Sequence, residues 1–119
     1  MARLLRIAPE LPAESLKSAL AFYEHKLGFG VATVMPGGEY GIVERDGLAI
    51  HIFQDVARKH SPVGIHIFTY ELEGLRDEFL ERGARLSQEI ARKPWGNRDF
   101  RVRDEYGNEL KFTEPSAED

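Results

Sequence analysis

The chain has 119 residues, 42% of them hydrophobic and 30% charged, and its formal net charge is −4. This length and composition predict one globular domain and exclude an intrinsically disordered chain. The negative charge argues against nucleic acid as a partner, and the absence of cysteine excludes disulfides and thiol nucleophiles. No apolar run has the length of a membrane span or a signal peptide, so we expect a cytoplasmic protein with no membrane partner.

The first half of the chain reads as a strand, a helix and three further strands. A short β-prone run over residues 5–11 is interrupted by Pro9, so it should lie at a sheet edge. Ser15 is suited to cap a helix that Gly28 ends. The apolar residues of this helix have helical spacing: Leu16, Ala19, Leu20, Tyr23 and Leu27. A strand over residues 30–35 and a period-2 hairpin over residues 40–53 follow.

The second half repeats this order after a polar linker over residues 55–62. We predict a strand over residues 63–70, a helix closed by Gly83, a strand over residues 86–91 and a hairpin over residues 100–113. The two hairpins align without a gap, since Ile42 matches Val102 and Gly47 matches Gly107. The sequence therefore predicts a single α+β domain of two βαβββ modules, about 1–55 and 62–115. Paired about a pseudo-twofold axis, the modules should form a curved mixed sheet around a cleft.

Strand parity indicates which side chains face this cleft. In the last strand of each module, His51 and Phe53 correspond to Lys111 and Thr113 and lie on the polar face, opposite the apolar residues that pack under a helix. In the first strands, Ala8 and Glu10 correspond to Gly64 and His66. We therefore expect four polar residues in the cleft: Glu10, His51, His66 and Lys111. Glu10 is also a candidate ion-pair partner of Lys111.

Two motifs resemble a known family. The first helix carries the pattern Ser15-Leu16-x-x-Ala19-x-x-Phe22-Tyr23-x-x-x-Leu27-Gly28-Phe29, which is similar to a signature of the glyoxalase/bleomycin resistance/dioxygenase (vicinal oxygen chelate) superfamily. The run from Lys93-Pro94-Trp95-Gly96 to Arg103-Asp104-Glu105-Tyr106-Gly107-Asn108 resembles the hallmark of its bleomycin-resistance branch. In the second run Glu105 stands where proline is common.

The resemblance implies where a metal would bind. Metal-dependent members take ligands from the first and last strand of each module, and these positions are Ala8, His51, Gly64 and Lys111 here. Two of these residues have no donor and one is a cation, whereas a catalytic metal needs about three protein ligands. We therefore expect no metal and no other cofactor. The alternative is a metal-dependent glyoxalase- or dioxygenase-type enzyme that uses Glu10, His51 and His66 as a two-His-one-carboxylate site.

The resemblance also implies a non-enzymatic function. Similar proteins sequester glycopeptide antibiotics by stacking the planar part of the drug between a tryptophan at the position of Trp95 and aromatic residues of the first module. Tyr40 is the matching aromatic residue, and Phe53 is a second candidate. The predicted partner is an aromatic, cationic molecule, either a bleomycin-like antibiotic or a metabolite. The binding crevices of this branch lie between two subunits, so a homodimer is expected.

Overall fold

Both helices are apolar on the side that packs against their own sheet. In the computed structural model, which describes residues 1–116, Ser15 accepts a hydrogen bond from the backbone N–H of Ser18 and so caps the first helix. Gly28 ends this helix in the left-handed conformation, with φ of 71°. A side chain at this position would also collide with the guanidinium of Arg45, because an added Cβ would lie 2.8 Å from Nη1. The predicted cap residues are therefore confirmed.

Ten elements occur in the predicted order. They are β1 (Glu10–Ala13), α1 (Leu16–Leu27), β2 (Gly30–Val34), β3 (Tyr40–Arg45), β4 (Leu48–Gln54), β5 (Gly64–Phe68), α2 (Leu72–Glu81), β6 (Gln88–Arg92), β7 (Arg98–Arg103) and β8 (Glu109–Thr113). The strands form two four-stranded mixed sheets, ordered β1-β4-β3-β2 and β5-β8-β7-β6. The α+β fold with two βαβββ repeats is thus confirmed, and hydrogen bonding keeps each repeat in its own sheet. Among the described residues, no helix is long and apolar enough to cross a membrane.

The first strand differs from the sequence prediction. The β-prone run was expected to begin at residue 5, but β1 begins at Glu10 and pairs in parallel with β4. Leu4, Leu5 and Ile7 are 101%, 89% and 94% exposed. Among the described residues no strand pairs with the apolar residues before Pro9, so β propensity alone does not place them in the sheet.

Side chains from both repeats join in one core. Phe79 of α2 is fully buried and its ring meets those of Phe100 and Phe112 at centroid distances of 5.9 and 5.0 Å. Arg45 of the first repeat lies over the same Phe79 ring and forms a two-pronged ion pair with Glu78, with N–O distances of 2.8 and 2.7 Å. The contact holds the β3–β4 turn against α2.

A buried polar network joins the first repeat to the β7–β8 turn of the second repeat. The hydroxyl of Tyr23 in α1 donates to Asp104 in the β7–β8 turn at 2.9 Å. The amide of Asn108 donates to the backbone carbonyl of Pro12 and accepts from the backbone N–H of Val63. Burial, together with the charge of Asp104 and the hydrogen bond to it, raises the pKa of Tyr23 well above its usual value. The two repeats are thus joined by specific hydrogen bonds as well as by apolar packing.

Candidate ligand-binding site

The polar face of the first repeat holds a three-residue hydrogen-bonded cluster. In the β1–β4 register Glu10 lies beside His51. Tyr40 of β3 bridges them, because its hydroxyl oxygen lies 2.6 Å from Glu10 Oε2 and 2.7 Å from His51 Nδ1. The ring of Tyr40 also meets the His51 ring edge-on at 5.6 Å. We call Glu10, Tyr40 and His51 the first-face cluster.

The chemistry of this cluster determines which nitrogen of His51 carries a proton. The Tyr40 hydroxyl has a single proton, and the carboxylate of Glu10 has none to donate, so that proton lies in the bond to Glu10. The hydrogen bond to Glu10 is also the largest cause that raises the pKa of Tyr40 to about 12. The tyrosine oxygen must then accept a hydrogen bond from Nδ1–H of His51, which in the neutral form of the imidazole leaves no hydrogen on Nε2. Its Nε2 therefore carries the lone pair and can accept a hydrogen bond from a ligand.

Replacing Tyr40 with phenylalanine should change the protonated nitrogen of His51. Without the acceptor oxygen, Nδ1–H loses a hydrogen bond of about 1 kcal/mol, which is roughly a fivefold change in the tautomer ratio. Long-range ¹H–¹⁵N spectra at about pH 8, where an ordinary imidazole is neutral, should show Nδ1–H in the wild type and a shift toward Nε2–H in Tyr40→Phe. Tyr70→Phe is the matched control, because Tyr70 is 82% exposed. A wild-type protein in which His51 carries its proton on Nε2 would contradict this prediction.

Phe53 lies next to this cluster, on the same face. It is paired with Tyr40 in the β3–β4 register, and its ring packs edge-on against His60 at 4.9 Å. Phe53 is half-buried, so part of its ring is already covered by the linker between the repeats. Tyr40 and Phe53, the two predicted stacking residues of the first repeat, are therefore brought together.

The polar face of the second repeat carries a different set of groups. His66 of β5 lies beside Lys111 of β8, and Arg101 of β7 lies on the other side of Lys111. The Nδ1 atom of His66 lies 3.2 Å from the hydroxyl of Thr113. No ion pair joins Glu10 to Lys111. We call His66, Lys111 and Arg101 the second-face row.

Trp95 lies at the tip of the β6–β7 hairpin and is 70% exposed. The turn is closed by hydrogen bonds from Lys93 N–H to the carbonyl of Asn97 and from Gly96 N–H to the carbonyl of Lys93. The side chain of Asn97 donates to the carbonyl of Glu114. The indole therefore projects from a well-supported turn, and it contacts no aromatic ring of the described residues.

A buried carboxylate supports the same turn from below. Asp99 is 2% exposed and lies 3.3 Å from the Lys93 ammonium, while the Gln88 amide donates to it at 2.7 Å. Burial opposes the ionisation of Asp99, but the hydrogen bonds from Gln88 and Lys93 outweigh it and hold the pKa below its usual value. The sequence prediction did not include Asp99 and Arg101. Side chains alternate between the two faces along β7, and its pairing with β8 in the predicted hairpin could have placed both residues on the polar face.

The donor set does not fit the metal centre that the family implies. Of the four corresponding positions, Ala8 and Gly64 have no side-chain donor and Lys111 is a cation, so His51 is the sole suitable ligand. The alternative set is not assembled within the chain, since Glu10 and His51 share Tyr40 whereas His66 bonds to Thr113. Among the described residues, no three His, Cys, Asp or Glu side chains are grouped as metal ligands.

The topology and these two faces define a tandem-repeat α+β protein, with one helix and one polar sheet face in each repeat. The chain belongs to the Glyoxalase/Bleomycin resistance protein/Dioxygenase superfamily, whose model matches residues 3–112. This confirms the resemblance seen in the motifs of α1 and of the β6–β8 region. No curated protein sequence matches the chain significantly.

Solved structures share this fold. A bleomycin-binding protein complexed with bleomycin superposes with a TM-score of 0.83 at 20% identity, covering 95% of this chain and 100% of that one. A bleomycin resistance determinant encoded on the transposon Tn5 gives 0.84 at 20% identity, covering 95% and 99%. A lactoylglutathione lyase from Agrobacterium tumefaciens gives 0.76 at 17% identity, covering 96% of both chains. At such identities the likeness shows the fold alone.

Proposed function

We propose that this chain is a non-enzymatic binding protein that sequesters an aromatic small molecule, such as a bleomycin-like antibiotic or a metabolite. The observation that carries the proposal is Trp95, an exposed indole on a turn braced by buried Asp99. An exposed aromatic ring has apolar surface in contact with water, and a ligand that stacks on the ring removes this surface from water. The hydrogen-bonded turn also fixes the backbone that carries the ring, which reduces the entropy lost on binding. Binding of bleomycin by a structural neighbour supports the same function.

The ligand is expected to contact both polar faces. Tyr40 and Phe53 offer ring surface on the first face, and the Nε2 atom of His51 offers a hydrogen-bond acceptor. Glu10 adds a negative charge, which favours a cationic group on the ligand at this end. The metal-dependent alternative has less support, because its three ligands are not assembled in one chain. Cytoplasmic localisation stays a prediction from the sequence.

The binding protein is a homodimer in this proposal. Support comes from the exposed apolar segment that contains Leu4, Leu5 and Ile7. A groove of about 700 Å³ lies beside it, and apolar residues such as Leu48, Ile65 and Phe68 line much of its wall. Strands β1 and β5 each have one side without a partner strand. A second copy of the chain, contributing its own apolar segment, would cover this groove and bring the polar faces of two subunits into one crevice.

Replacing Trp95 with alanine should weaken binding of phleomycin. Loss of the buried ring and its stacking should cost about 2–3 kcal/mol, a roughly 30- to 150-fold rise in Kd measured by calorimetry. Trp95 is the sole tryptophan, so its fluorescence reports binding directly in the wild type. Tyr70→Ala, which removes another exposed ring, is the matched control and should bind normally.

The same experiment separates binding from enzymatic alternatives. If phleomycin changes neither the fluorescence of Trp95 nor the melting temperature, bleomycin-like drugs are excluded as ligands. Elemental analysis of purified protein should find no stoichiometric Ni, Zn, Fe or Mn. A stoichiometric metal that is lost in His51→Ala would replace this proposal with the metal-dependent enzyme.

A further inference from the structure

Three basic side chains occupy one row across the second sheet. His66, Lys111 and Arg101 lie on adjacent strands, in direct register with one another. Like charges directly opposite each other on neighbouring strands destabilise a sheet. The pairing of Lys111 with Arg101 is therefore unfavourable unless negative groups compensate both.

Carboxylates compensate Arg101 but not Lys111. Arg101 Nε lies 3.3 Å from Asp99 and its Nη1 lies 3.4 Å from Glu109. Glu109 also pairs with Arg103 at 3.1 Å, and Asp99 is shared with Lys93 at 3.3 Å. Within residues 1–116, Lys111 makes neither an ion pair nor a side-chain hydrogen bond, although it is half-buried. Partial burial of an ammonium without a partner is unfavourable, because the group loses contact with water and gains no other interaction. A bound anion would replace the lost interaction.

A glycine on the neighbouring strand leaves this ammonium accessible. Gly64 of β5 has no side chain, and a Cβ added there would lie 3.6 Å from Nζ and 3.7 Å from Cε of Lys111. These are ordinary contact distances, so alanine would fit while covering one side of the ammonium. Glycine therefore leaves open the space that a small ligand group would need to reach Nζ.

We propose that Lys111, flanked by Arg101, binds an anionic oxygen group of a ligand, either a carboxylate or a phosphate. Arg101 adds a donor, because its Nη2 atom donates to none of the described residues. The ligand would then carry a negative group toward the second face, in addition to the aromatic part assigned to Trp95. This site rests on the second-face row alone and does not depend on stacking.

Acetate and inorganic phosphate are the probes that test this site. Each is titrated into the full chain in Tris buffer, with sodium chloride holding the ionic strength constant. An anion that binds the folded state should raise the melting temperature by about 3 °C at a concentration about fivefold above its Kd, and by more as the concentration rises. A response to either anion supports the site, and the larger response identifies the preferred group. Absence of any response to both overturns it.

Substitutions locate the response on Lys111. Lys111→Gln should abolish the shift, and without anion it should melt slightly above the wild type, because a charge repulsion is removed. Lys17→Gln, a change at an exposed residue of α1, should keep the full shift. Gly64→Ala retains the charge and should weaken phosphate or acetate binding severalfold, which tests the site even if Lys111→Gln folds poorly. Equal shifts in the wild type, Lys111→Gln and Gly64→Ala would overturn the proposal.

Trp95→Ala distinguishes this site from the proposed drug binding. It should lose affinity for phleomycin but retain the full response to acetate or phosphate. Loss of the anion response in Trp95→Ala would show that the response does not arise from Lys111 and Arg101, and would overturn the site. Retention supports it, whether or not phleomycin binds.

Discussion

Replacing Asn108 with alanine should lower the free energy of unfolding by about 2–5 kcal/mol. The side chain is fully buried and satisfies three groups, two of them from distant parts of the chain. Its amide donates to the carbonyl of Pro12 and to Asp104, each at 2.8 Å, and its oxygen accepts from Val63 N–H at 2.9 Å. Alanine would leave a buried donor and a buried acceptor without partners, and each such group costs about 1–3 kcal/mol.

Chemical denaturation measures this effect, and the chain offers a matched control. Asn97 is the only other asparagine, and its side chain makes one hydrogen bond, to the carbonyl of Glu114, at a half-buried position. Asn97→Ala should cost about 1 kcal/mol or less. Equal losses in the two variants would show that Asn108 does not join the repeats as described. Tyr23→Phe, which removes another donor to Asp104, should fall between them.

The triple variant Leu4→Glu, Leu5→Glu and Ile7→Glu should convert the proposed homodimer to a monomer. Burial of an aliphatic side chain of this size contributes about 1.5–3 kcal/mol, so three of them contribute on the order of 5 kcal/mol from each subunit. Even after the cost of ordering the segment, the dimer Kd should rise at least about 10³-fold. Sedimentation equilibrium of the wild type and the variant measures this change directly.

A second triple variant controls for added charge. Met35, Val56 and Tyr70 are also exposed, at 42%, 66% and 82%, and lie outside both the N-terminal segment and the groove. Changing all three to glutamate adds the same negative charge and should leave the dimer intact. If the wild type sediments as a monomer at about 100 μM, or if both variants dissociate equally, the groove is not covered by a second copy in the way proposed.

Local patterns predicted much of the fold because they depend on neighbouring residues. The gap-free match between residues 40–53 and 100–113 predicted two equivalent hairpins, and β3–β4 and β7–β8 confirm them. Ser15 and Gly28 marked the ends of α1 through preferences that act within one turn. The start of β1 was wrong because a strand needs a partner, and the sequence alone does not show that residues 5–8 have none among the described residues.

The candidate site was predicted only in part. Parity placed Glu10, His51, His66 and Lys111 on the polar strand faces, and the registers of the structure pair Glu10 with His51 and His66 with Lys111. It did not show that Tyr40 would bridge Glu10 and His51, because the bridge requires the tyrosine hydroxyl to reach both groups from β3. Nor did it show which basic residue of the second face would form ion pairs with the carboxylates, since Arg101 and Lys111 both carry a positive charge and lie side by side.

The order of elements, the internal repeat and the face of each strand follow from the amino-acid sequence, since periodicity and capping operate over a few residues. Only the tertiary structure determined the contacts between the two repeats and the geometry of the candidate site. Asn108 meets the carbonyl of Pro12 across 96 residues, and Tyr23 meets Asp104 across 81. Such contacts depend on how two folded repeats pack, so the tautomer of His51 and the uncompensated charge of Lys111 became visible only in three dimensions.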